Sequence, residues 1–384
     1  MRLELTAEQR AARDEFRAFT AAEIAPHADR WDRAAAVPRE LVGKLRERGY
    51  LGSLLPAELG GRGLDMITYG LLTEEIGRGC SSVRSLLTVH DMVAHAVQRF
   101  GDPAARERFL PALARGAILG AFALSEPGAG SDANSVETTA VQEGGPEGDW
   151  VLTGRKKWTT FGQIADLYLV FAKVGEGAGG QPTVFLLERA TPGLTVTPLH
   201  GITGTRASLL AELTLDGCRV PATHRVGRIG SGVTHVASYT LEQGRYSVAW
   251  GAVGLGQACL DASLAYANER HQFGVPLIRH QLVSALLADM IVNVRAARLL
   301  CLRAGWLRAS RDPGAGAETM AAKYFAAVTA AKAANDAVQI HGANGCSEEY
   351  PVGRYLRDAK VLEIIEGSTQ IQQISIPRFP FTEL

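Results

Sequence analysis

The sequence predicts an α+β protein in which a small β domain lies between two helical regions. Residues 1–118 and 233–384 carry Ala- and Leu-rich stretches with apolar residues at helical spacing. Residues 119–232 instead contain short β-rich stretches separated by Gly and Pro. A chain of 384 residues also exceeds the size at which a single core usually keeps growing. We therefore expect an N-terminal helical domain, a middle antiparallel β domain and a C-terminal four-helix bundle, with those three ranges as their bounds.

The N-terminal helical region opens with a capping-box pattern at Thr6 and Gln9. Apolar residues follow at helical spacing until Pro26, which ends the first predicted helix. A second helix is predicted between Pro38 and Gly49. Helical periodicity then resumes over two further stretches, 66–100 and 103–113.

The β domain and the C-terminal bundle are predicted from the change in texture along the chain. Five short stretches have strand composition and turn residues at their ends, namely 149–160, 166–174, 183–188, 194–199 and 209–220. Three long stretches then have few helix-breaking residues, namely 239–270, 279–308 and 319–341. Long helices of this kind are typical of a bundle.

Composition excludes several classes of protein. Forty basic and forty acidic residues leave no net charge, which gives no support to nucleic-acid or membrane binding. Five scattered cysteines without metal-ligand spacing predict buried thiols in a reducing compartment. The N-terminus lacks the apolar core of a signal peptide, and no stretch reaches the length of a membrane span. We expect a cytoplasmic protein without a metal site.

The segment RDAKVLEIIEGSTQI, residues 357–371, places Glu366 at the end of an apolar run, directly before Gly367. Burial of the run would carry the carboxylate to the edge of a dry pocket and make it a stronger base. Ser368 and Gln370 then offer polar groups at the first turn of a predicted helix. The segment shows no basic partner for Glu366, and a helix-capping glutamate is the alternative interpretation.

Two further motifs favour a binding site. FALSEPGAGSD, residues 122–132, predicts a loop whose N–H groups and hydroxyls can face a ligand, although a Gly-rich linker would also explain its glycines. KKWTTFG, residues 156–162, sets Trp158 beside two hydroxyls, which suits a flat heteroaromatic ring unless the indole lies in the core. ERHQFG, residues 269–274, is by itself an interhelix loop.

Together with HQLV, QIHGANG, LLPAELGGRGL and TLDGCRVP, these motifs resemble the acyl-CoA dehydrogenase family of flavoenzymes in order and spacing over essentially the whole chain. The resemblance implies non-covalent FAD, a thioester substrate stacked on the flavin, and a homotetramer or homodimer. It also implies an electron acceptor such as an electron-transfer flavoprotein. Ala343 and Cys346 depart from the usual pattern near the FAD.

The resemblance implies roles for individual residues. Cofactor contacts would come from Phe122, Ser125, Ser131, Trp158, Thr159, Thr160, Arg270, Gln272, Phe273, Gln281, Gln339, Ile340, His341, Gly342, Ala343, Ser368 and Gln370. Of these, 270–281 and 339–343 would reach the FAD of a neighbouring subunit. Substrate contacts would come from Ser131, Glu242, Arg245, Trp250 and Gly367.

The resemblance also implies that Glu366 is the base that removes the α-proton while hydride leaves the β-carbon for the flavin. A minority of the family places the base immediately before the arginine of LEQGRYSVAW, where this chain has Gly244. Glu366 is then the only base candidate in the motifs, with Arg245 as its electrostatic neighbour. Should Glu366 fail, Glu242 and Glu363 are the next carboxylates to test.

RGCSSVRS, SVAWG and RDAKVLEIIEGS are similar to acyl-carrier-protein dehydrogenases that make hydroxymalonyl or methoxymalonyl extender units for polyketides. Bulky Trp250 and Tyr246 would shorten the acyl cavity, as a small polar substrate requires. The alternatives are a catabolic acyl-CoA dehydrogenase, a flavin monooxygenase of the same fold, and a helical scaffold without activity. The last of these would leave five polar motifs unexplained.

Overall fold

The computed structural model describes residues 4–145, 147–175 and 179–379. Its N-terminal part is helical, with α1 (Ala7–Glu23), α2 (Ala28–Ala34), α3 (Arg39–Glu47), α4 (Met66–Gly79), α5 (Ser81–Phe100) and α6 (Pro103–Ala114). The capping box at Thr6 and Gln9 is present. The short helix α2 escaped prediction, and the stretch predicted over 66–100 is two helices because Cys80 adopts an extended backbone.

The middle part is a sheet of eight strands among the described residues. They are β1 (Gly120–Ala123), β2 (Thr139–Gln142), β3 (Trp150–Thr159), β4 (Leu167–Val174), β5 (Gln181–Glu188), β6 (Leu194–Pro198), β7 (Ala211–Val220) and β8 (Arg225–Val226). The strand order is β6-β7-β3-β2-β4-β5-β8, and β1 pairs with β4. All five predicted strands are confirmed.

The prediction of a wholly antiparallel sheet is wrong, because both β1 and β2 pair with β4 in parallel. These two strands were missed because each has only four residues, too few for an alternating pattern to show. Parallel pairing places the end of β1 beside β4. The loop that follows β1 then reaches the end of β3, where the Lys157 N–H donates to the Ser125 carbonyl (2.9 Å).

The C-terminal part contains the long helices α7 (Ser238–Glu269), α8 (Gln281–Ala309) and α9 (Ala315–His341), followed by α10 (Val352–Ile364) and α11 (Thr369–Ser375). A two-stranded hairpin, β9 (His271–Gln272) and β10 (Val275–Pro276), connects α7 to α8. The bundle prediction is therefore confirmed. The bounds 1–118, 119–232 and 233–384 for three domains stay predictions.

Helix α7 packs closely against the N-terminal helices. A Cβ atom added to Gly77 of α4 would lie 2.8 Å from the Cα of Gly251 on α7, so the two backbones touch. One large hydrophobic cluster joins helices from both ends of the chain, including Phe16, Leu72 and Leu255. The site described below forms where α5, α7, α9 and the α10–α11 turn meet.

Of the five cysteines, four are buried as predicted, whereas Cys346 is exposed because it ends a short 3₁₀ helix after α9. Among the described residues, no helix combines the length and the apolar character that crossing a membrane would require.

Candidate active site

Glu366 lies in a sharp turn between α10 and α11. Both Glu366 (φ 56°) and Gly367 (φ 89°) adopt left-handed backbone conformations. A residue with a Cβ atom is strained there by about 1–2 kcal/mol, and such strain in a folded protein clusters at functional sites. Ser368 then caps α11, its Oγ accepting from the Ile371 N–H (3.3 Å), at the start of the helix that the sequence predicted there.

Three side chains from three helices hold this turn by its carbonyl oxygens. Arg245 Nε of α7 donates to the Glu366 carbonyl (3.1 Å), and Lys323 Nζ of α9 donates to the Gly367 carbonyl (2.7 Å). Gln372 Nε2 of α11 donates to both carbonyls (3.1 Å each). The turn is therefore fixed from three sides, and the carboxylate is left free.

One oxygen of the Glu366 carboxylate, Oε2, is buried. The residue as a whole is half-buried, yet its Oε2 is shut off from solvent and has no hydrogen-bond partner among the described residues. Burial raises the pKa of Glu366 to about 7, and the positive charges of Arg245, Arg84 and Lys323 oppose that rise. A carboxylate with a pKa near neutrality is well suited to act as a general base.

The segment around Glu366 shows no basic partner, but the fold supplies three. Arg245 was the predicted neighbour, and it is the cation with the largest effect on the Glu366 pKa. Arg84 and Lys323 were missed because they come from α5 and α9, which the sequence does not connect to this turn. Gly244, the alternative position of the base, does face Glu366: a Cβ there would lie 2.3 Å from Oε2.

Arg84 is the most unusual residue of the site. It is fully buried, and only its Nη1 is bonded, donating to Thr88 Oγ1 (2.9 Å). Its Nε and Nη2 are buried without partners among the described residues, and no carboxylate lies within ion-pair distance. Burial lowers the pKa of this guanidinium to about 10, while Glu366 and other nearby anionic groups raise it.

One face of α7 connects Glu366 to Arg84. Gly244 contacts the Glu366 carboxylate, Ser247 Oγ lies 2.6 Å from Thr88 Oγ1, and Gly251 contacts the Arg84 side chain. Positions i, i+3 and i+7 lie on one face of a helix, and seven residues span about 10 Å along its axis. Gly244 and Gly251 thus mark the two ends of a polar face, which we call the α7 corridor.

The residues predicted to line a flavin come together at the ends of β1 and β3. Trp158 has a left-handed backbone (φ 66°) that leaves its indole 53% exposed, with Lys157 Nζ 5.1 Å from the ring. Thr159 Oγ1 is buried without a hydrogen-bond partner among the described residues. Phe122 and Thr160 are half-buried at the same edge, while Ser131 is exposed on the loop.

A buried ion pair that the sequence did not reveal fixes the loop after β1. Lys156 Nζ contacts Glu126 Oε1 (2.5 Å) and the Leu124 carbonyl (3.2 Å). Glu126 also accepts from the Thr138 N–H and hydroxyl, at 3.0 and 2.6 Å. Burial lowers the pKa of Lys156 to about 8, although Glu126 opposes this shift. Glu126 therefore positions the loop and is not itself a ligand contact.

The residues predicted to reach a neighbouring FAD lie on two surface segments. Arg270, Gln272 and Phe273 are exposed on the α7–α8 hairpin, and Gln281 begins α8. Phe273 is 96% exposed, which is exceptional for an aromatic residue and suits a subunit contact.

The second segment, from Gln339 to Ala343, ends α9 and begins the short 3₁₀ helix. Ile340 and His341 are buried, and the His341 ring stacks on Tyr266 (4.2 Å) and donates from Nδ1 to the Ala337 carbonyl (2.7 Å). Their side chains therefore pack inward, and any cofactor contact from them would come from the backbone.

Two substrate predictions meet a different environment from the expected one. Trp250 is fully buried against Gly70 of α4, and Tyr246 donates to the Met66 carbonyl (2.7 Å). Trp250 therefore packs against α4, and Tyr246 packs between α4 and α8, where its hydroxyl lies against Gly305. Glu242 pairs with Arg308.

The site thus combines a buried carboxylate of near-neutral pKa, a polar corridor leading away from it, and a separate flat aromatic edge with an unpaired hydroxyl. The order of helices, sheet and helices around it is that of a flavin-dependent acyl-thioester dehydrogenase. The chain belongs to the acyl-CoA dehydrogenase family: models of its N-terminal, middle and C-terminal domains match residues 6–117, 121–218 and 230–379. Members of this family are FAD-dependent oxidoreductases that act on CH–CH groups.

Curated and solved relatives match the chain over nearly its whole length. It is 40% identical to the probable acyl-CoA dehydrogenase YngJ of Bacillus subtilis (strain 168), covering 98% of this chain and 99% of the relative. The structure of butyryl-CoA dehydrogenase from Megasphaera elsdenii superposes with a TM-score of 0.94 at 34% identity, covering 98% and 99% of the two chains. FkbI, for biosynthesis of the methoxymalonyl extender unit of the Fk520 polyketide, gives a TM-score of 0.85 at 34% identity, covering 96% and 98%.

The residues present fit FAD. The buried Thr159 hydroxyl lacks a hydrogen-bond partner in the part of the chain that the structure describes, and beside it Trp158 is held in a strained backbone conformation with its ring exposed. An isoalloxazine ring has a flat face for the indole and polar edges for such a hydroxyl. Ser125, Trp158, Thr159 and Thr160 would hold the ring, and Phe122 would pack beside it.

Proposed function

We propose that this chain oxidises a small acyl thioester that carries a hydroxyl or carboxylate group, presented by an acyl-carrier protein. Such a reaction belongs to the biosynthesis of hydroxymalonyl- or methoxymalonyl-type extender units. The observation that carries the proposal is the unpaired guanidinium of Arg84 at the end of the α7 corridor.

An unpaired buried cation argues for a polar substrate. Burying a guanidinium with two of its nitrogen atoms unbonded and no ion-pair partner costs several kcal/mol, which an apolar acyl chain would not offset. Arg84 Nε and Nη2 together can hold one carboxylate in a bidentate pair, or a hydroxyl through one bond. Gln243 adds an amide nitrogen that is also buried without a hydrogen-bond partner among the described residues, and the buried Tyr69 hydroxyl interacts with Ser247, Gln243 and Asp91.

The proposal requires a small polar acyl group. A glyceryl thioester, the precursor of hydroxymalonyl and methoxymalonyl extender units, carries such a group. The 4-hydroxybutyryl and succinyl groups, in which only the terminal carbon of butyryl is oxidised, probe the same polar recognition at Arg84.

The reaction assigns separate tasks to the residues. Glu366 Oε2 takes the α-proton, and the turn held by Arg245, Lys323 and Gln372 aims it at the α-carbon. Gly367 leaves room for the thioester to approach the backbone. When bound, FAD supplies the two-electron acceptor for the hydride that leaves the β-carbon. The negative charge that Glu366 gives up moves to the thioester oxygen, where hydrogen-bond donors stabilise it.

The carrier is proposed from the likeness to FkbI together with the polar corridor. A carrier protein docks through its acidic surface, whereas CoA brings a 3′-phosphate that needs its own binding groups. The likeness to YngJ and to butyryl-CoA dehydrogenase supports the rival, a catabolic acyl-CoA dehydrogenase that passes electrons to an electron-transfer flavoprotein. Both functions use Glu366 in the same way.

We also propose a homotetramer or homodimer in which Arg270, Gln272, Phe273, Gln281 and residues 339–343 complete a neighbour's FAD site. The two surface segments follow the C-terminal ends of α7 and α9, where Tyr266 stacks on His341 (4.2 Å), so they would meet the same cofactor. Ser368 and Gln370 at the start of α11 would hold its pyrophosphate or adenine side.

The test is anaerobic stopped-flow reduction of the bound flavin by a matched series of thioesters. Butyryl, 4-hydroxybutyryl and succinyl groups differ only at the terminal carbon, and each is loaded on an acyl-carrier protein and on CoA. We expect the two oxygenated groups to react at least tenfold faster than butyryl, and faster on the carrier protein than on CoA. Equal or faster reduction by butyryl-CoA would refute the proposal in favour of the catabolic rival.

A further inference from the structure

We propose that Lys323 and Gln372 are positioning residues that clamp the left-handed turn of Glu366 and Gly367 and thereby aim the Glu366 carboxylate. The inference rests on the proposed role of Glu366 as the base. It goes beyond that role because neither residue touches the substrate or the cofactor in the proposal.

Lys323 lies in an environment that packing alone does not explain. Its side chain is fully buried in the bundle, on the third turn of α9. Its Nζ donates to the Gly367 carbonyl (2.7 Å) and approaches the Glu363 carbonyl (3.4 Å), and no carboxylate lies within ion-pair distance among the described residues. A buried ammonium without an ion-pair partner is a costly feature, which a purely packing role would fill with an apolar side chain.

The clamp acts directly on the strained turn. Lys323 and Gln372 bond to the carbonyls of the two residues whose backbones are left-handed, and Glu366 itself is one of them. Without these bonds, only Arg245 would hold the Glu366 carbonyl, and no hydrogen bond in the described structure holds Glu366 Oε2, so the turn could relax to an ordinary backbone conformation. A relaxed turn would swing the carboxylate away from the substrate.

The charge of Lys323 also affects the pKa of Glu366. The charged groups that face Glu366 are Arg245 of α7, Arg84 of α5 and Lys323 of α9, and all three lower its pKa. Those that face Lys323 are Glu366, Arg245 and Glu363 of α10. Because Glu366 must be ionised to accept a proton, loss of the Lys323 charge raises its pKa and moves the acid limb of kcat/KM to higher pH.

The test compares Lys323→Met with Lys332→Met in the FAD-loaded enzyme. Lys332 lies on the same helix, but it is half-exposed and pairs with Asp289 and Asp336 outside the site. The probe is whichever of the butyryl, 4-hydroxybutyryl and succinyl thioesters reduces the wild-type flavin fastest. We expect Lys323→Met to lower kcat about tenfold to 100-fold with KM within threefold, and Lys332→Met to match the wild type.

A second readout needs no substrate. Deuterium uptake by the backbone amides of residues 363–372, measured by mass spectrometry, rises in Lys323→Met and in Gln372→Leu if the clamp holds the turn. Lys323→Gln keeps a hydrogen-bond donor but removes the charge. Its deuterium uptake should therefore lie closer to that of the wild type than the uptake of Lys323→Met does, while the acid limb of its kcat/KM profile stays at higher pH. Gln372→Leu also covers the case in which Lys323→Met does not fold.

The outcomes separate this inference from the proposed function. If Glu366→Gln is inactive while Lys323→Met and Gln372→Leu keep wild-type kcat, acid limb and deuterium uptake, only the clamp is refuted. A lower melting temperature without a change in these three readouts would likewise refute it. In the Glu366→Gln background, Lys323→Met should cause no further loss of rate. An additional loss there would mean that Lys323 acts independently of Glu366.

Discussion

Replacing Arg84 with methionine separates substrate recognition from stability. The substitution keeps an unbranched apolar side chain in the buried site but removes the guanidinium. Two nitrogen atoms, Nε and Nη2, have no hydrogen-bond partner among the described residues, and a hydrogen bond to a charged group contributes about 1.5–3 kcal/mol. Loss of both bonds amounts to about 3–6 kcal/mol, or about 100-fold to 20,000-fold in kcat/KM for a carboxylated acyl group.

The same variant should behave differently towards an apolar acyl group and towards heat. Butyryl offers no acceptor to Arg84, so its kcat/KM should stay the same or rise. The melting temperature of the substrate-free protein should also stay the same or rise, because an unpaired buried charge is removed. A stability gain together with a loss of selectivity is expected only of a residue kept for binding.

The assay is flavin reduction by succinyl and butyryl thioesters on the same carrier, reported as the ratio of their kcat/KM values. Arg108→Met is the matched control, since Arg108 forms an exposed ion pair with Glu188 on the surface. We expect the ratio to fall at least 100-fold in Arg84→Met and to be unchanged in the control. An unchanged ratio in Arg84→Met would refute the assignment of the α7 corridor to a polar acyl group.

Two further predictions concern the base and the cofactor. Glu366→Gln should retain FAD but reduce its flavin about 100-fold to 10,000-fold more slowly; in the wild type, kcat/KM should fall below a pH of about 7 as Glu366 protonates. Wild-type reduction rates in the variant would end the assignment of the base. Arg270→Ala should weaken FAD retention, measured by flavin absorbance after gel filtration, and a monomer in light scattering that holds stoichiometric FAD would contradict the shared site.

The sequence predicts well those features that depend on near neighbours along the chain. The capping box of α1, the start of α11 after Gly367 and the five longer strands are local patterns, and each is confirmed. Glu366 stood out for the same reason, because its apolar run and the following glycine are adjacent in sequence. The short strands β1 and β2 carry no such pattern and were missed.

The polar groups around Glu366 could not be predicted because the fold alone brings them together. Arg84 stands in a motif that resembles other dehydrogenases, yet its unpaired nitrogen atoms follow only from burial between α5 and α7. Lys323 belongs to an alanine-rich helix that resembles ordinary bundle sequence. Conversely, Trp250 and Tyr246 were expected at the acyl cavity because of their size. Trp250 instead packs against Gly70 of α4, and Tyr246 donates to the carbonyl of Met66, the first residue of α4.

The charges around Glu366 explain how a carboxylate can serve as the base at neutral pH. Burial alone would raise the pKa of Glu366 and keep it protonated. The three cations alone would lower its pKa and make it too weak a base. Together the two effects set its pKa at about 7, so that the ionised form is available and still basic. Removing any one of the three positive charges should therefore raise this pKa and narrow the pH range in which Glu366 is ionised.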